Sequence, residues 1–504
     1  MKEAYRLRSI VSLLKIAAEE DGDRSFLVDP SGRAWTYKEL LSYSNQIAKF
    51  LQLYRTKTKE HVGLYFNNNA DFVASFFGVL MAECIPVPIP YNSKDQEIHH
   101  ICKMGDISFC LANEPVPSSI QVLNIASIDD VDLPHDEPEC MDERSETGMA
   151  LLFPTSGSTG NPKLVMLSNE NVVTNAAAHS EALSLTAEDR FMLTMPIYFS
   201  SSITTQLLSC LITRTPLILF NNPFIPKKVL KVVTEREITC LALVPTTLML
   251  LTHSLEKQRN QTIGTVKTIV VSGSPLHKEL YERAQFYFPH AKILQTYGLS
   301  EAAPRVSIMS RLDSELSCGK PVRGVEVKIV DQHKGVECAN LETGEIYVKG
   351  PNVMLGYYNN PTATDQTIHN GWLATGDIGY KDHFSNLYVV GRRKNVILVG
   401  GTNVYPEEIE EALTRIEEVE EAAVSDVEDE LMGQIPVAVI VFKEDKWLSE
   451  DELFQVLKDQ LSNYKMPRAW LIIDNLPRTS TGKINRNSLR DLCKAKVEMY
   501  QSQD

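Results

Sequence analysis

The residues best suited to chemistry in this chain stand in one short run, Thr155-Ser156-Gly157-Ser158-Thr159-Gly160-Asn161-Pro162-Lys163. Its glycines let the backbone turn tightly and present N–H groups, its four hydroxyls can donate to phosphate oxygens, and Lys163 adds a point charge. That set makes a cradle for polyphosphate. The G-x-x-x-x-G-K-[ST] spacing of P-loop nucleotide hydrolases is absent, so their fold is not implied. A solvated Ser/Thr/Gly turn has the same composition, and the run alone leaves both readings open.

Four further strings follow: Tyr297-Gly298-Leu299-Ser300-Glu301, Thr375-Gly376-Asp377, Gly391-Arg392-Arg393-Lys394 and Pro477-Arg478-Thr479-Ser480-Thr481-Gly482-Lys483. In this order the set resembles the phosphate loop and successive motifs of the adenylate-forming (AMP-binding) superfamily of acyl-CoA synthetases, peptide-synthetase adenylation domains and luciferases. Ser300 replaces the threonine usual there and keeps the hydroxyl. Spread from residue 155 to residue 483, the strings make coincidence a poor explanation. The resemblance implies an ATP-dependent ligase. A carboxylate attacks the α-phosphate of ATP to give an acyl-AMP and pyrophosphate, and the acyl group then passes to the thiol of CoA or of the phosphopantetheine arm of a separate acyl or peptidyl carrier protein. A nucleotide- or acyl-binding protein that has kept the fold and lost turnover is the reading from another class; Lys483, Glu301, Asp377 and Arg392 together weigh against it.

Both reactants of the first step are anions, so positioning and charge neutralisation must supply most of the catalysis. The resemblance assigns Lys483 to bridge carboxylate and α-phosphate, a task a flexible ammonium suits. Glu301 would hold Mg²⁺, a hard cation that takes carboxylate oxygen while bridging phosphates. Asp377, an acceptor only when ionised, would receive the ribose hydroxyls, and the Arg392 fork would reach the same ribose or the phosphates. Adenine would lie between the turn Ser272-Gly273-Ser274-Pro275-Leu276 and the ring of Tyr297, with Gly298 and Ser300 completing the nucleotide site. Lys394 would be the hinge about which the C-terminal domain rotates between half-reactions, and Gly400-Gly401 would shape the thiol tunnel, where glycine admits close backbone approach.

The resemblance implies that the acyl group is met just after a strand at 192–196, in the run Ile197-Tyr198-Phe199-Ser200-Ser201-Ser202. No carboxylate stands there to pair with an α-ammonium, which disfavours an amino acid, because an unpaired buried ammonium is costly. The histidine that many acyl- and aryl-CoA ligases carry in this neighbourhood is missing too. Tyr198, Phe199 and Ala302-Ala303-Pro304 suggest an uncharged, partly apolar cavity. A fatty or other apolar acid is the first expectation, an aromatic acid the second.

These residues need a scaffold, and the chain has the means for one. It has 504 residues, 43% of them hydrophobic and 23% charged, the composition of a globular protein. Lysines and arginines number 50 against 65 acids, and the resulting net charge of −15 argues against a nucleic-acid binder. Nine cysteines are scattered singly, which points to a reducing, cytoplasmic setting. The most apolar stretch, 72–89, is interrupted by Glu83, Pro86 and Pro88 and reads as a buried helix followed by a short strand rather than a membrane segment. Helix-like runs at 69–81, 245–256 and 277–288 alternate with β-branched runs at 217–220 and 266–271. The expected class is therefore α/β. Joined to the resemblance, it implies a large N-terminal AMP-binding domain, 1–391, of helix-covered sheets plus a small β-barrel after Cys318, and a small mobile α+β C-terminal lid domain, 392–504. An acidic, Pro-containing stretch at 129–147 reads as a linker.

Overall fold

The computed structural model describes residues 9–54, 59–91, 93–117, 120–130, 133, 148–155, 163–221, 223–258, 261–309, 316–332, 334–400, 402–429, 432–458, 460–478 and 484–501. Ser156, Gly157, Ser158, Thr159, Gly160, Gly401 and Lys483 lie outside that set, as does nearly all of the linker stretch. The chain divides into two compact units. The first comprises Met1–Val327, Tyr347–Ala374 and Phe384–Leu387; the second comprises Lys328–Ile346, Thr375–His383 and Tyr388–Asp504.

The first unit is built on a nine-stranded sheet. From one edge its strands are Lys320–Pro321, Arg305–Ile308, Lys292–Gly298, Thr268–Val271, Cys240–Leu243, Phe191–Leu193, Leu217–Leu219, Ser25–Val28 and Ala34–Thr36. The strands from Lys292–Gly298 through Ser25–Val28 run parallel, while the outer ones are antiparallel. Strands such as Cys240–Leu243 and Thr268–Val271 are buried throughout, as expected of parallel strands covered on both faces. The cover includes Pro226–Glu235, Pro245–Lys257 and Lys278–Tyr287, which fill one core with Val229, Leu248, Leu251, Leu255 and Ala284. A four-stranded parallel sheet holds Ile85–Pro88, His61–Tyr65, Ile107–Ala112 and Gln121–Asn124. Between its strands lies the apolar helix Ala70–Met81, capped by Asn69, whose side-chain oxygen accepts from the Phe72 N–H at 2.9 Å. The expected helix-then-strand reading of the apolar stretch is what forms, and among the described residues no helix is long and apolar enough to cross a membrane. The chain also becomes β-rich after Cys318 as expected, with strands Glu326–Val330, Gly344–Lys349, Trp372–Lys381 and Leu387–Arg392.

The second unit centres on the sheet Thr402–Val404, Ile397–Val399, Gly433–Phe442, Val419–Asp429, with Ala469–Ile472 parallel to Gly433–Phe442. Alternation along Gly433–Phe442 sorts its side chains between two cores. Ala438 and Ile440 face Ile409, Leu413, Leu453 and Leu457 of helices Pro406–Thr414 and Glu450–Lys458, while Val437, Val439 and Val441 face Leu489 and Cys493 of helix Arg486–Gln501.

Candidate active site

In the first unit the expected residues gather where parallel strands end. Phe191–Leu193 leads to Tyr198 and Phe199, Thr268–Val271 to Ser272, Gly273 and Ser274, and Lys292–Gly298 carries Tyr297 and Gly298 before Ser300, Glu301 and Ala302. Open α/β sheets bind ligands beyond these carboxyl ends, because neighbouring loops diverge there. Bonds between adjacent strands hold the ends together. Thr194 Oγ1 donates to Ala242 O at 2.9 Å, Ser272 N to Leu243 O at 3.1 Å and Thr296 Oγ1 to Val271 O at 3.0 Å. The 272–276 turn is tied to the Tyr297 strand by Gln295, whose Oε1 accepts from Leu276 N at 2.6 Å. Gly273 has φ +92°, a left-handed conformation that favours glycine. At Gly298 a Cβ would meet Pro304 O at 2.1 Å, so only glycine lets the chain double back.

Thr155 and Lys163 face one another across the antiparallel pair Met149–Thr155 and Lys163–Ser168, and Thr155 Oγ1 donates to Lys163 O at 3.1 Å. Residues 156–162 connect these two strand ends. The Lys163 ammonium lies 4.4 Å from the centre of the Tyr357 ring, and the Tyr357 hydroxyl donates to Glu301 Oε1 at 3.0 Å. Tyr357 thus joins the cation of the hydroxyl-rich run to the expected Mg²⁺ carboxylate. The turn after Tyr297 is tightly held: Ser300 Oγ is 2.9 Å from Ser200 Oγ, Met354 N donates to Glu301 O at 2.9 Å and Asn352 Nδ2 to Ala302 O at 2.9 Å. Ala303 has φ +57°, a strained value for a residue with a Cβ.

The 194–199 segment is anchored by Asn68, whose Oδ1 accepts from Ile197 N at 2.7 Å and whose Nδ2 donates to Met195 O and Phe220 O at 2.9 and 2.8 Å. Tyr198 and Phe199 pack edge to face at 5.0 Å, and burial pushes the Tyr198 hydroxyl up to about 12. A π-helix, Ser202–Leu208, follows, a conformation common near functional sites. The residue after Ala302-Ala303-Pro304 is a buried arginine, Arg305. A buried histidine is present as well, brought by helix Asn169–Leu183: His179 is 1% exposed, and burial, then the Arg305 charge, holds it well below its usual pKa. Burial pulls Arg305 itself down to about 10.

In the second unit Asp377 and Arg392, expected at one ribose, are brought together. Arg392 Nε lies 2.7 Å from Asp377 Oδ1, with the aspartate nearly buried and the arginine half exposed. Thr375 Oγ1 donates to Ile346 O at 2.8 Å and accepts from Asp377 N at 3.1 Å. Glu345, also buried, accepts from Gly376 N at 3.1 Å and Arg393 Nη1 at 3.0 Å. Lys394 follows on the surface. Lost hydration at its ammonium, then the charges of Arg392 and Arg486, lower it to about 8 against the pull of Asp377 and Glu407. Arg486 is clamped by Glu410 through Nη1–Oε1 at 2.5 Å and Nη2–Oε2 at 3.0 Å. Gly400 has φ +57°.

Motif reading missed Tyr357, Asn68, Gln295, His179 and Arg305. For Arg305 a signal existed: a lone charge opening the apolar strand run Arg305-Val306-Ser307-Ile308.

Residues 14–358 match the AMP-binding enzyme family, and residues 408–483 match the AMP-binding enzyme C-terminal domain. Among curated proteins, the 2-succinylbenzoate–CoA ligase of Bacillus subtilis (strain 168) is 30% identical over 471 residues, covering 92% of this chain and 94% of the relative. The 4-coumarate–CoA ligase 1 of Solanum tuberosum is 29% identical over 499 residues, covering 94% and 91%. Among solved structures, o-succinylbenzoate CoA synthetase from Bacillus subtilis in complex with the acyl-adenylate intermediate OSB-AMP matches with TM-score 0.85 at 28% identity, over 95% of this chain and 98% of that one. ATP-bound MatB from Rhodopseudomonas palustris, at 24% identity, shares the fold with TM-score 0.87 over 96% and 98%.

Proposed function

Since the chain belongs to the AMP-binding enzyme family, we propose that it joins an aromatic carboxylic acid to CoA through an acyl-AMP intermediate. The coarser activity, an AMP-forming acid–thiol ligase using ATP, Mg²⁺ and CoA, is the family's and is carried by relatives aligned over more than nine-tenths of both chains. The aromatic class rests on the acids named for those relatives, 2-succinylbenzoate and 4-coumarate, and displaces the fatty acid expected first.

The observation that carries the reading is the Lys163–Tyr357–Glu301 arrangement. It joins an ammonium to a carboxylate that takes the tyrosine hydroxyl at Oε1. That donor set fits a magnesium nucleotide, the metal neutralising phosphate charge when bound. In our reading Thr155, Ser156, Gly157, Ser158, Thr159, Gly160 and Lys163 hold the phosphates, Ser272, Gly273, Ser274, Tyr297, Gly298 and Ser300 the base side of the nucleotide, and Asp377 with Arg392 the ribose. Glu301 is the metal carboxylate. Tyr198, Phe199 and Ala302 meet the acyl group. Lys483 bridges the substrate carboxylate and the α-phosphate; a carboxylate oxygen attacks phosphorus, pyrophosphate leaves, and the CoA thiol then displaces AMP from the acyl carbon. We also propose that residues 392–504 form a lid that moves about Lys394 relative to residues 1–391, with Gly401 shaping the thiol path, and that the enzyme works in the reducing cytoplasm, as its singly placed cysteines suggest.

The deciding experiment is ATP/pyrophosphate exchange across aromatic, aliphatic and amino acids, followed by thioester analysis with CoA. Exchange and thioester with aromatic acids are expected. Turnover confined to aliphatic or amino acids would replace the substrate class, and silence with retained ATP binding would favour a non-catalytic nucleotide-binding protein.

A further inference from the structure

Arg305 opens the strand Arg305–Ile308 directly after the turn that carries Ser300, Glu301 and Ala302. It is 4% exposed, its Nε has no hydrogen-bond partner, and its side chain makes no hydrogen bond or ion pair with any described residue. A guanidinium carries five donors and a permanent charge. Removing such an ion from water costs several kcal/mol even after relaxation, so an uncompensated one is a burden on the fold. The backbone leaves it little choice of place. Arg305 N donates to Asn175 Oδ1 at 2.9 Å and Asn175 Nδ2 returns a bond to Arg305 O at 2.7 Å, locking the strand to helix Asn169–Leu183.

Other unsatisfied polar groups crowd the same helix. His179, one turn beyond Asn175, has no partner for Nδ1. On the helix's neighbour, the π-helix Ser202–Leu208, held by Ser209 Oγ donating to Ala176 O at 2.9 Å, the polar atoms Ser202 Oγ, Thr204 Oγ1 and Gln206 Oε1 are buried and unpartnered. Asn352, which fixes Ala302, leaves its Oδ1 unpaired. Native interiors leave few such atoms, so a concentration of them calls for an explanation, which a bound polar group or water can supply.

We propose that Arg305 is a specificity-determining residue that receives a second anionic group of the acyl substrate, so that the preferred acid carries a carboxylate or equivalent anion besides the one that is activated. This deepens the ligase reading above and rests on it. The reacting carboxylate is a poor partner for a buried arginine: it loses its charge when the acyl-AMP forms and stays neutral in the thioester, which would strand the guanidinium at each stage. An anion that persists through both half-reactions keeps it paired throughout. His179, held neutral, adds a hydrogen-bonding nitrogen without a competing charge.

The test compares kcat/KM of the full-length enzyme for matched acids, 3-phenylpropanoate against its ortho-, meta- and para-carboxy derivatives and hexanoate against adipate, in wild type, Arg305→Leu and Arg305→Lys. Wild type should favour at least one diacid over its monoacid by about 10²-fold or more, because a neutral acid leaves the charge unpaired. Arg305→Leu should erase that ratio while retaining exchange with the monoacid, and Arg305→Lys should keep part of it. A wild-type ratio near one, or a ratio unchanged in Arg305→Leu, overturns the proposal. Thermal denaturation of wild type supplies a readout that needs no variant: the diacid alone should raise Tm, the monoacid should not. Equal stabilisation by chloride or inorganic phosphate would make this an inorganic-anion site and also overturn it. A diacid that raises Tm while no acid supports exchange would sink the ligase reading and leave the anion site standing.

Discussion

Arg305 in the first unit is buried and Arg486 in the second is partly buried, with 26% of its side chain exposed, and they are treated in opposite ways. Burial alone would lower Arg486, but the charge of Glu410, its hydrogen bonds and the charge of Glu407 outweigh that and hold it above its usual value. Arg305 has no such carboxylate among the described residues, and burial pulls it down to about 10. In the second unit Arg393 likewise has Glu345 and Arg392 has Asp377. A charge kept for architecture comes with its counter-charge built in, whereas a charge kept for a ligand waits for the ligand to bring it.

Four substitutions would break or sharpen that contrast. The largest effect is expected from Glu410→Ala, which strands Arg486 and should destabilise the second unit by about 3 kcal/mol, read by denaturant unfolding on Trp470 fluorescence. A loss near zero would mean that pairing matters no more there than at Arg305. Lys483→Ala should lower pyrophosphate exchange by on the order of 10²-fold, about 2.7 kcal/mol of transition-state stabilisation, without moving Tm. A fall in Tm would place Lys483 among the architectural charges. Arg305→Leu should do the reverse of Glu410→Ala and raise stability, by about 1 kcal/mol, because it removes an uncompensated ion. Net destabilisation would indicate that the guanidinium is already satisfied.

The smallest effect concerns Lys394. Its folded pKa of about 8 lies below the ordinary 10.5, so the fold disfavours its protonated form. The unfolded chain then binds more protons between those values, and stability should rise as pH climbs from about 8 to 10.5, with the full penalty present below 8. Lys394→Met should remove that rise from the difference curve; an unchanged curve would assign it to other groups.

Much of the candidate site could be read from the sequence through its resemblance to a known family. Thr155, Lys163, Tyr297, Glu301, Asp377 and Arg392 sit in short strings whose chemistry depends on consecutive residues, and such strings need no knowledge of the fold. The helix at 69–81 and the strands around 217 and 268 were legible for a similar reason, since apolar periodicity is a local property. Arg305 was missed because the reading of the acyl environment considered Tyr198, Phe199 and Ala302 to Pro304 and stopped one residue short of it. His179 was invisible in another way: it is a single histidine on a helix whose partner strand is more than a hundred residues away.

By itself, then, the sequence determined the reaction type, the α/β class and the strings proposed to hold phosphate and ribose, because ordered short strings carry a family resemblance and apolar patterning carries the fold class. The tertiary structure alone decided that Tyr357 joins Lys163 to Glu301, and that Arg305 is buried near His179 with no counter-charge among the described residues while Arg486 has Glu410. Those outcomes depend on burial and on which distant segments pack together, and the cost of an ion is set by whether water or a partner is left beside it.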